Sequence, residues 1–147
     1  MTWFVKEFEE LSVHELYDLL ALRTSVFVVE QECPYQEVDG VDKEALHIWK
    51  MEDGIISAYA RLIPTGVKGP YASIGRVIVN PDFRGKNVGH ILIEECMLVM
   101  QEKWEPSIIK LQAQAHLQNF YGKHGFSTIS DEYDEDGIPH VDMIWEK

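Results

Sequence analysis

The chain has 147 residues, 46% of them hydrophobic and 11% aromatic, which suffices for one compact domain and leaves no room for a second of ordinary size. Thirteen Lys and Arg against twenty-five Asp and Glu leave a formal charge of −12, which repels a nucleic-acid backbone and an anionic membrane surface alike. Two cysteines exclude a disulfide scaffold, the charged opening segment (Lys6, Glu7, Glu9, Glu10) holds no leader-like apolar core, and no apolar run approaches the roughly 18 residues of a membrane span. The expectation is a single cytoplasmic domain over 1–147, with no nucleic acid and no membrane among its partners; composition suits a monomer and a homodimer equally.

Ser12 and Glu15 form a capping box, and Val13, Leu16, Tyr17 and Leu20 recur at helical spacing, so an amphipathic helix starts there. It is expected to end before the β-branched cluster Val26 to Val29, with Pro34 as a further stop. Ala45 to Met51 reads as a strand, Glu52-Asp53-Gly54 as a tight turn, and Ile56, Ala58, Ala60 and Leu62 as the buried face of a second strand. Tyr71 to Val79 is a third strand, closed by Asn80-Pro81. Val88, Ile91, Leu92, Cys96 and Val99 make a helical stripe running towards Trp104, broken by Pro106. A short apolar strand over Ile108 to Ala113 precedes a brief helix over about Ala115 to Lys123, which Gly125 caps. Two final strands, Thr128 to Tyr133 and Val141 to Trp145, flank a turn at Asp136-Gly137. Antiparallel strands followed by strand–helix–strand–helix predict an α/β chain with a mixed sheet.

Metal chemistry fails on spacing. Aligning Gly137 with the sixth position of a calcium loop puts Glu132 first and Met143 last, so both the starting Asp and the closing Glu are missing. His14 and Glu15 lack the second histidine of a zinc helix. Gly85-Lys86-Asn87 resembles the end of a P-loop, but Asn80 and Asn87 stand where its leading Gly and its Ser/Thr belong. What survives is the stretch Ile74 to Val79, Asn80-Pro81-Asp82-Phe83, then Arg84-Gly85-Lys86-Asn87-Val88-Gly89 opening a helix. Free amides at a helix N-terminus, two glycines and the charges of Arg84 and Lys86 suit a diphosphate.

Arg84-x-x-Asn87-x-Gly89 resembles the Arg/Gln-x-x-Gly-x-Gly/Ala signature of the GNAT acetyltransferase superfamily, and Phe120-Tyr121-Gly122-Lys123-His124-Gly125-Phe126 is similar to its second motif. Leu22-Arg23 with Val26 to Gln31 and Cys33-Pro34-Tyr35, Gln112 to His116, and Asp136 to His140 look like the ElaA-like branch. The resemblance implies a mostly antiparallel sheet flanked by helices and splayed between its fourth and fifth strands, with acetyl-coenzyme A in the split. Its pantetheine arm would pair with the main chain of Val77, Ile78 and Val79, and its pyrophosphate would sit on the amides of Arg84, Gly85, Lys86, Asn87, Val88 and Gly89. Gln114 stands where many relatives place a cofactor-binding Asn. Asn87 replaces the middle glycine of the signature, and Asn tolerates positive φ.

The implied reaction is direct transfer of an acetyl group to a primary amine of a small molecule or a peptide, with no metal. Tyr121 matches the motif tyrosine and is the expected proton donor to the departing thiolate; His116 is a second candidate. Glu30, Gln31, Asp39, Asp42 and His140 are candidates for the acceptor side, where Glu30, His116 and His140 could serve as base, and Asp39 and Asp42 would suit a cationic amine. A non-catalytic acyl-coenzyme A-binding module is the alternative. Arg23 to Phe27 also resembles acyl-homoserine-lactone synthases, but those chains are longer and lack the tandem motifs.

Overall fold

The computed structural model describes residues 3–33 and 35–147. Pro34, expected to stop the first helix, lies outside the described residues. The elements are β1 (Trp3–Glu7), α1 (Val13–Thr24), β2 (Leu46–Glu52), β3 (Ile55–Ile63), β4 (Ala72–Val79), α2 (Val88–Lys103), β5 (Ile108–Gln114), α3 (Gln118–Gly122), β6 (Ser127–Thr128), β7 (Tyr133–Glu135) and β8 (Ile138–Glu146). They build one mixed sheet in the order β1-β2-β3-β4-β5-β8-β6, with β7 also paired to β8. The β4–β5 pairing is parallel and every other pairing is antiparallel.

Local chemistry places most boundaries where the sequence puts them. Ser12 Oγ accepts from the Glu15 amide while Glu15 reaches back to the Ser12 amide, so α1 begins with a closed capping box. Asp53 (φ 52°) and Gly54 (φ 75°) take the left-handed pair of conformations that a two-residue hairpin between β2 and β3 demands. Gly125 (φ 91°) ends the α3 region against the Trp145 ring, where a Cβ would approach within 3.0 Å.

Four expectations are corrected. The first helix does not end before Val26: Ser25–Glu30 continues it as a π-helical turn, with Gln31 N and Cys33 N donating to carbonyls five residues back. Burial of Val26 outweighs the weak helix preference of β-branched residues. β3 has no solvent face: Ala58, Ala60 and Leu62 join the core beneath α2, while Tyr59 and Arg61 are buried on the α1 face. The strand expected over Thr128 to Tyr133 is two short ones, because Ser130 Oγ takes the Asp142 amide that a strand carbonyl would otherwise accept. The brief helix after β5 is a 3-10 turn (Ala115–Leu117) followed by α3. Finally, β1 carries no sequence signal strong enough to be noted above; pairing with β2 defines it.

Two apolar clusters sandwich the sheet. Leu92, Ile93, Cys96 and Met100 of α2 pack on Ala58, Ala60, Leu62, Ile109 and Leu111. On the other face Leu19, Val26, Trp49, Ile56, Tyr59 and Ile78 form a second core under α1. The sheet opens between these layers: β4 and β5 pair only at Ala72↔Ile109 and Ser73↔Lys110, then diverge. Among the described residues no helix is long and apolar enough to cross a membrane.

Candidate active site

The divergence of β4 from β5 leaves the β5-facing main chain of Gly75 to Val79 without a strand partner. Unpaired strand edges are hydrogen-bonding templates for an extended ligand. Val77, Ile78 and Val79 occupy this edge, with Ile78 buried in the α1-side core and Val77 and Val79 packed towards α2. A cavity of about 510 Å³ fills the opening. Because strand neighbours alternate, Gln112, Gln114 and His140 reach it from one face of the sheet, while Leu111 and Tyr121 reach it from the other. It therefore runs through the sheet rather than lying on one side.

Downstream of the free edge, Asn80 closes β4 by donating its side-chain amide to Ile56 O and by capping the Pro81–Phe83 turn. Gly85 (φ 86°) and Asn87 (φ 63°) both adopt left-handed backbone before α2, so Asn87 supplies the conformation expected of the glycine it replaces. The first bond into α2 runs from Ile91 N to Asn87 O at 3.3 Å, which leaves the amides of Val88, Gly89 and His90 unpaired within the helix. Gly89 sits close to Phe120: a Cβ there would stand 3.2 Å and 3.3 Å from its ring. Gly85, Lys86 and Asn87 are exposed. The loop thus fits an anion cradle, with one correction. The guanidinium of Arg84 is not a free charge, because Glu30 binds it through bonds of 2.8 and 2.9 Å and its Nε donates to Val79 O.

Tyr121 is almost fully buried, lines the cavity and packs edge-on against Phe120 and Phe126. Burial, with Cys96 nearby, raises its ionisation above the ordinary phenol range. His140 lines the same cavity; its Nδ1 lies 2.8 Å from Ile138 O, which can only accept, so Nδ1–H is the donor in that contact. Gln31 and Gln114 also line the cavity. His116 does not: it is exposed on the 3-10 turn, whereas Leu117 of the same turn lines the cavity. Glu30 is engaged by Arg84, whose hydrogen bonds and charge lower its pKa against the opposing effect of burial.

The acidic pair expected to hold a cationic amine is committed elsewhere. Asp42 accepts from Arg23 at 2.7 Å and Arg61 at 3.0 Å, all three residues being buried. Asp39 accepts from both terminal nitrogens of Arg61 and from Arg76. Glu37 completes the cluster, pairing with Arg23 at 2.5 Å and with Arg76. His47 and Tyr59 brace it from below, the imidazole bonding the Tyr59 hydroxyl at 2.7 Å and Asp42 O at 3.0 Å. Burial depresses the His47 pKa, against the raising effect of the Asp42 carbonyl and charge. Desolvation makes such a cluster expensive, and the multiple ion pairs and hydrogen bonds among its members offset that cost. Arg61, Arg76, Tyr35 and Lys68 line the cavity on this side and were not among the expected site residues; Arg61, the one charge within β3, was the available signal.

Comparison with known proteins places this geometry. A family model of the acetyltransferase (GNAT) domain matches residues 10–147. Protein ElaA of Escherichia coli (strain K12) is 43% identical over 146 residues, 98% of this chain and 95% of that protein. The crystal structure of Escherichia coli ElaA superposes with a TM-score of 0.93 at 42% identity, covering 99% of each chain. An acyl-CoA N-acyltransferase from Pseudomonas aeruginosa superposes equally well, with a TM-score of 0.93, 42% identity and 98% of each chain covered.

Proposed function

The chain belongs to the GNAT acetyltransferase family and is an acyltransferase, and from that premise we propose that it moves an acetyl group from acetyl-CoA to a primary amine while both substrates occupy the cavity. The observation that carries this reading is the cavity through the sheet, bounded by the unpaired edge of β4 on one side and Tyr121 on the other. A donor and an acceptor can enter it from opposite faces and meet without either leaving.

The residues present fit the cofactor. Main-chain groups of Val77 to Val79 would hold its extended arm, and the amides from Gly85 to Gly89 would hold its diphosphate, with Gln114 at the far wall. When bound, acetyl-CoA supplies the activated acetyl thioester. His140 can take the proton of the attacking amine at Nε2, because its Nδ1–H is committed to Ile138 O. Tyr121 keeps its proton in the working range and can give it to the departing sulfur. Neither cysteine suits a covalent intermediate. Burial and the Asp136 and Asp134 charges hold the Cys33 thiol protonated, and Cys96 is sealed in the core.

Calorimetry with acetyl-CoA and thiol release in the presence of an amine panel test the proposal. Binding and amine-dependent release are expected; absence of binding would end it.

A further inference from the structure

Strand β4 changes phase midway. Ala72 and Ile74 face the core beneath α2, and so do Val77 and Val79, while Ile78 faces the core under α1. Side chains two apart share a face, so even positions face α2 before Gly75 and odd positions after it. The pairing with β3 shows the cause. Tyr59 pairs with Ile78 and Arg61 with Gly75, so Arg76 and Val77 together oppose Ala60. This is a β-bulge, and Arg76 holds in it the left-handed conformation (φ 50°) that glycine usually supplies. Among the described residues, Arg76 is the one non-glycine residue with positive φ inside a strand. A Cβ disfavours that conformation, so surrounding contacts must hold it. They come from the segment before β2. Arg76 Nε pairs with Glu37 Oε1, and its Nη2 donates to Asp39 Oδ2 at 3.3 Å and to Glu37 O at 3.4 Å. The guanidinium also stands 5.6 Å from the centre of the Tyr35 ring. Glu37 and Asp39 are themselves fixed, by buried Arg23 and Arg61. The bulge lies just past the point where β4 leaves β5, whose pairing ends at Ser73↔Lys110. A shift of one residue there decides which amides and carbonyls of Val77 to Val79 turn to β3 and which to the open edge.

We infer that Arg76 is a positioning residue: clamped by Glu37 and Asp39, it keeps the left-handed bulge populated and so sets the β4 edge that receives acetyl-CoA. The inference rests on the transferase reading above, in which that edge holds the extended arm of the cofactor. Arg76 acts through the backbone of Val77 to Val79, without a contact of its own to either substrate. Affinity for acetyl-CoA then scales with the fraction of molecules in the bulged register. Asp39, expected from the sequence to hold a cationic amine, thereby serves the donor edge instead.

The test separates the side chain from the backbone conformation it holds. Arg76→Gln and Arg76→Ala lose the clamp and keep a Cβ, whereas Arg76→Gly loses the same clamp and adopts positive φ freely. Acetyl-CoA binding, by calorimetry, is expected to weaken about fivefold or more in Arg76→Gln and Arg76→Ala. Arg76→Gly is expected to bind at least about threefold more tightly than either, although it has lost the same contacts. Urea denaturation shows whether each variant is folded at the temperature of the titration; if Arg76→Ala is not, Arg76→Gln against Arg76→Gly decides. A Kd equal in the unmodified protein and all the variants overturns the inference, as does Arg76→Gly binding no more tightly than Arg76→Gln. So does a raised KM for the amine with an unchanged acetyl-CoA Kd, which makes Arg76 an acceptor contact. Each of these leaves acetyl-CoA binding by the unmodified protein, and with it the transferase reading, in place. No acetyl-CoA binding by the unmodified protein overturns that reading first, and this inference with it.

Discussion

Glu30 grips Arg84 through two parallel hydrogen bonds of 2.8 and 2.9 Å, tying the end of the π-helical turn to the loop that opens α2. Both side chains are largely exposed, and Arg84 Nε closes the arrangement onto Val79 O at 3.0 Å. If the loop before α2 holds a diphosphate, as proposed above, that ligand and Glu30 would compete for one guanidinium.

Removing the competitor should therefore help the ligand. Glu30→Gln is expected to tighten acetyl-CoA about two- to fivefold, the worth of an exposed ion pair. Arg84→Glu should weaken it by about 1–3 kcal/mol, as for a lost charge-assisted phosphate contact. Isothermal calorimetry checks both, and an unchanged titration for Arg84→Glu would remove the diphosphate assignment.

Tyr121→Phe keeps the ring against Phe120 and Phe126 and deletes only the hydroxyl. Turnover with an accepted amine should fall about 10²–10⁴-fold while acetyl-CoA affinity hardly moves. Steady-state kinetics beside calorimetry separate the two quantities. A large loss of affinity would make the hydroxyl a binding contact, and full activity would move the proton donor elsewhere.

Gly89→Ala places a methyl 3.2 and 3.3 Å from the Phe120 ring, next to the unpaired amides of α2. Ring or helix must shift, which should cost about 1–3 kcal/mol of stability. Urea denaturation measures that loss, and acetyl-CoA should bind more weakly as the cradle moves. A variant of unchanged stability would mean the ring swings aside freely.

The charge cluster predicts an acid limb in stability. Burial opposes ionisation of Asp39, but the hydrogen bonds and charge of Arg61, the Val41 amide and the charge of Arg76 outweigh it and hold its carboxyl down at about 2. A depressed folded-state pKa stabilises the protein above the unfolded value near 3.8 and loses that contribution as pH falls towards 2. Allowing for solvent screening, the contribution is about 1–2 kcal/mol. Urea midpoints should show Asp39→Asn well below the wild type at pH 5, with the gap narrowing steadily below pH 4.

Much of the frame was legible along the chain because it rests on local rules. Ser12 and Glu15 satisfy each other's amides within one turn, Asp53-Gly54 needs only its own φ values, and Asn80-Pro81 ends β4 by local capping. The left-handed loop before α2 and the position of Tyr121 were legible because each belongs to a contiguous motif, whereas the free edge of β4 was implied only by the family resemblance.

Charge pairing was not legible, because an ion pair leaves no periodic trace in sequence. Asp39 and Asp42 read as free acids until folding brought Arg23, Arg61 and Arg76 against them from α1, β3 and β4. Arg84 read as a free cation until the π-helical turn brought up Glu30, 54 positions earlier. By itself the sequence determined most of the strands and helices and the family, through spacing and backbone preference acting over a few residues, but not β1 or the π-helical continuation of α1. Tertiary structure alone decided which charges pair with one another, because neutralisation of a buried charge depends on distance in space.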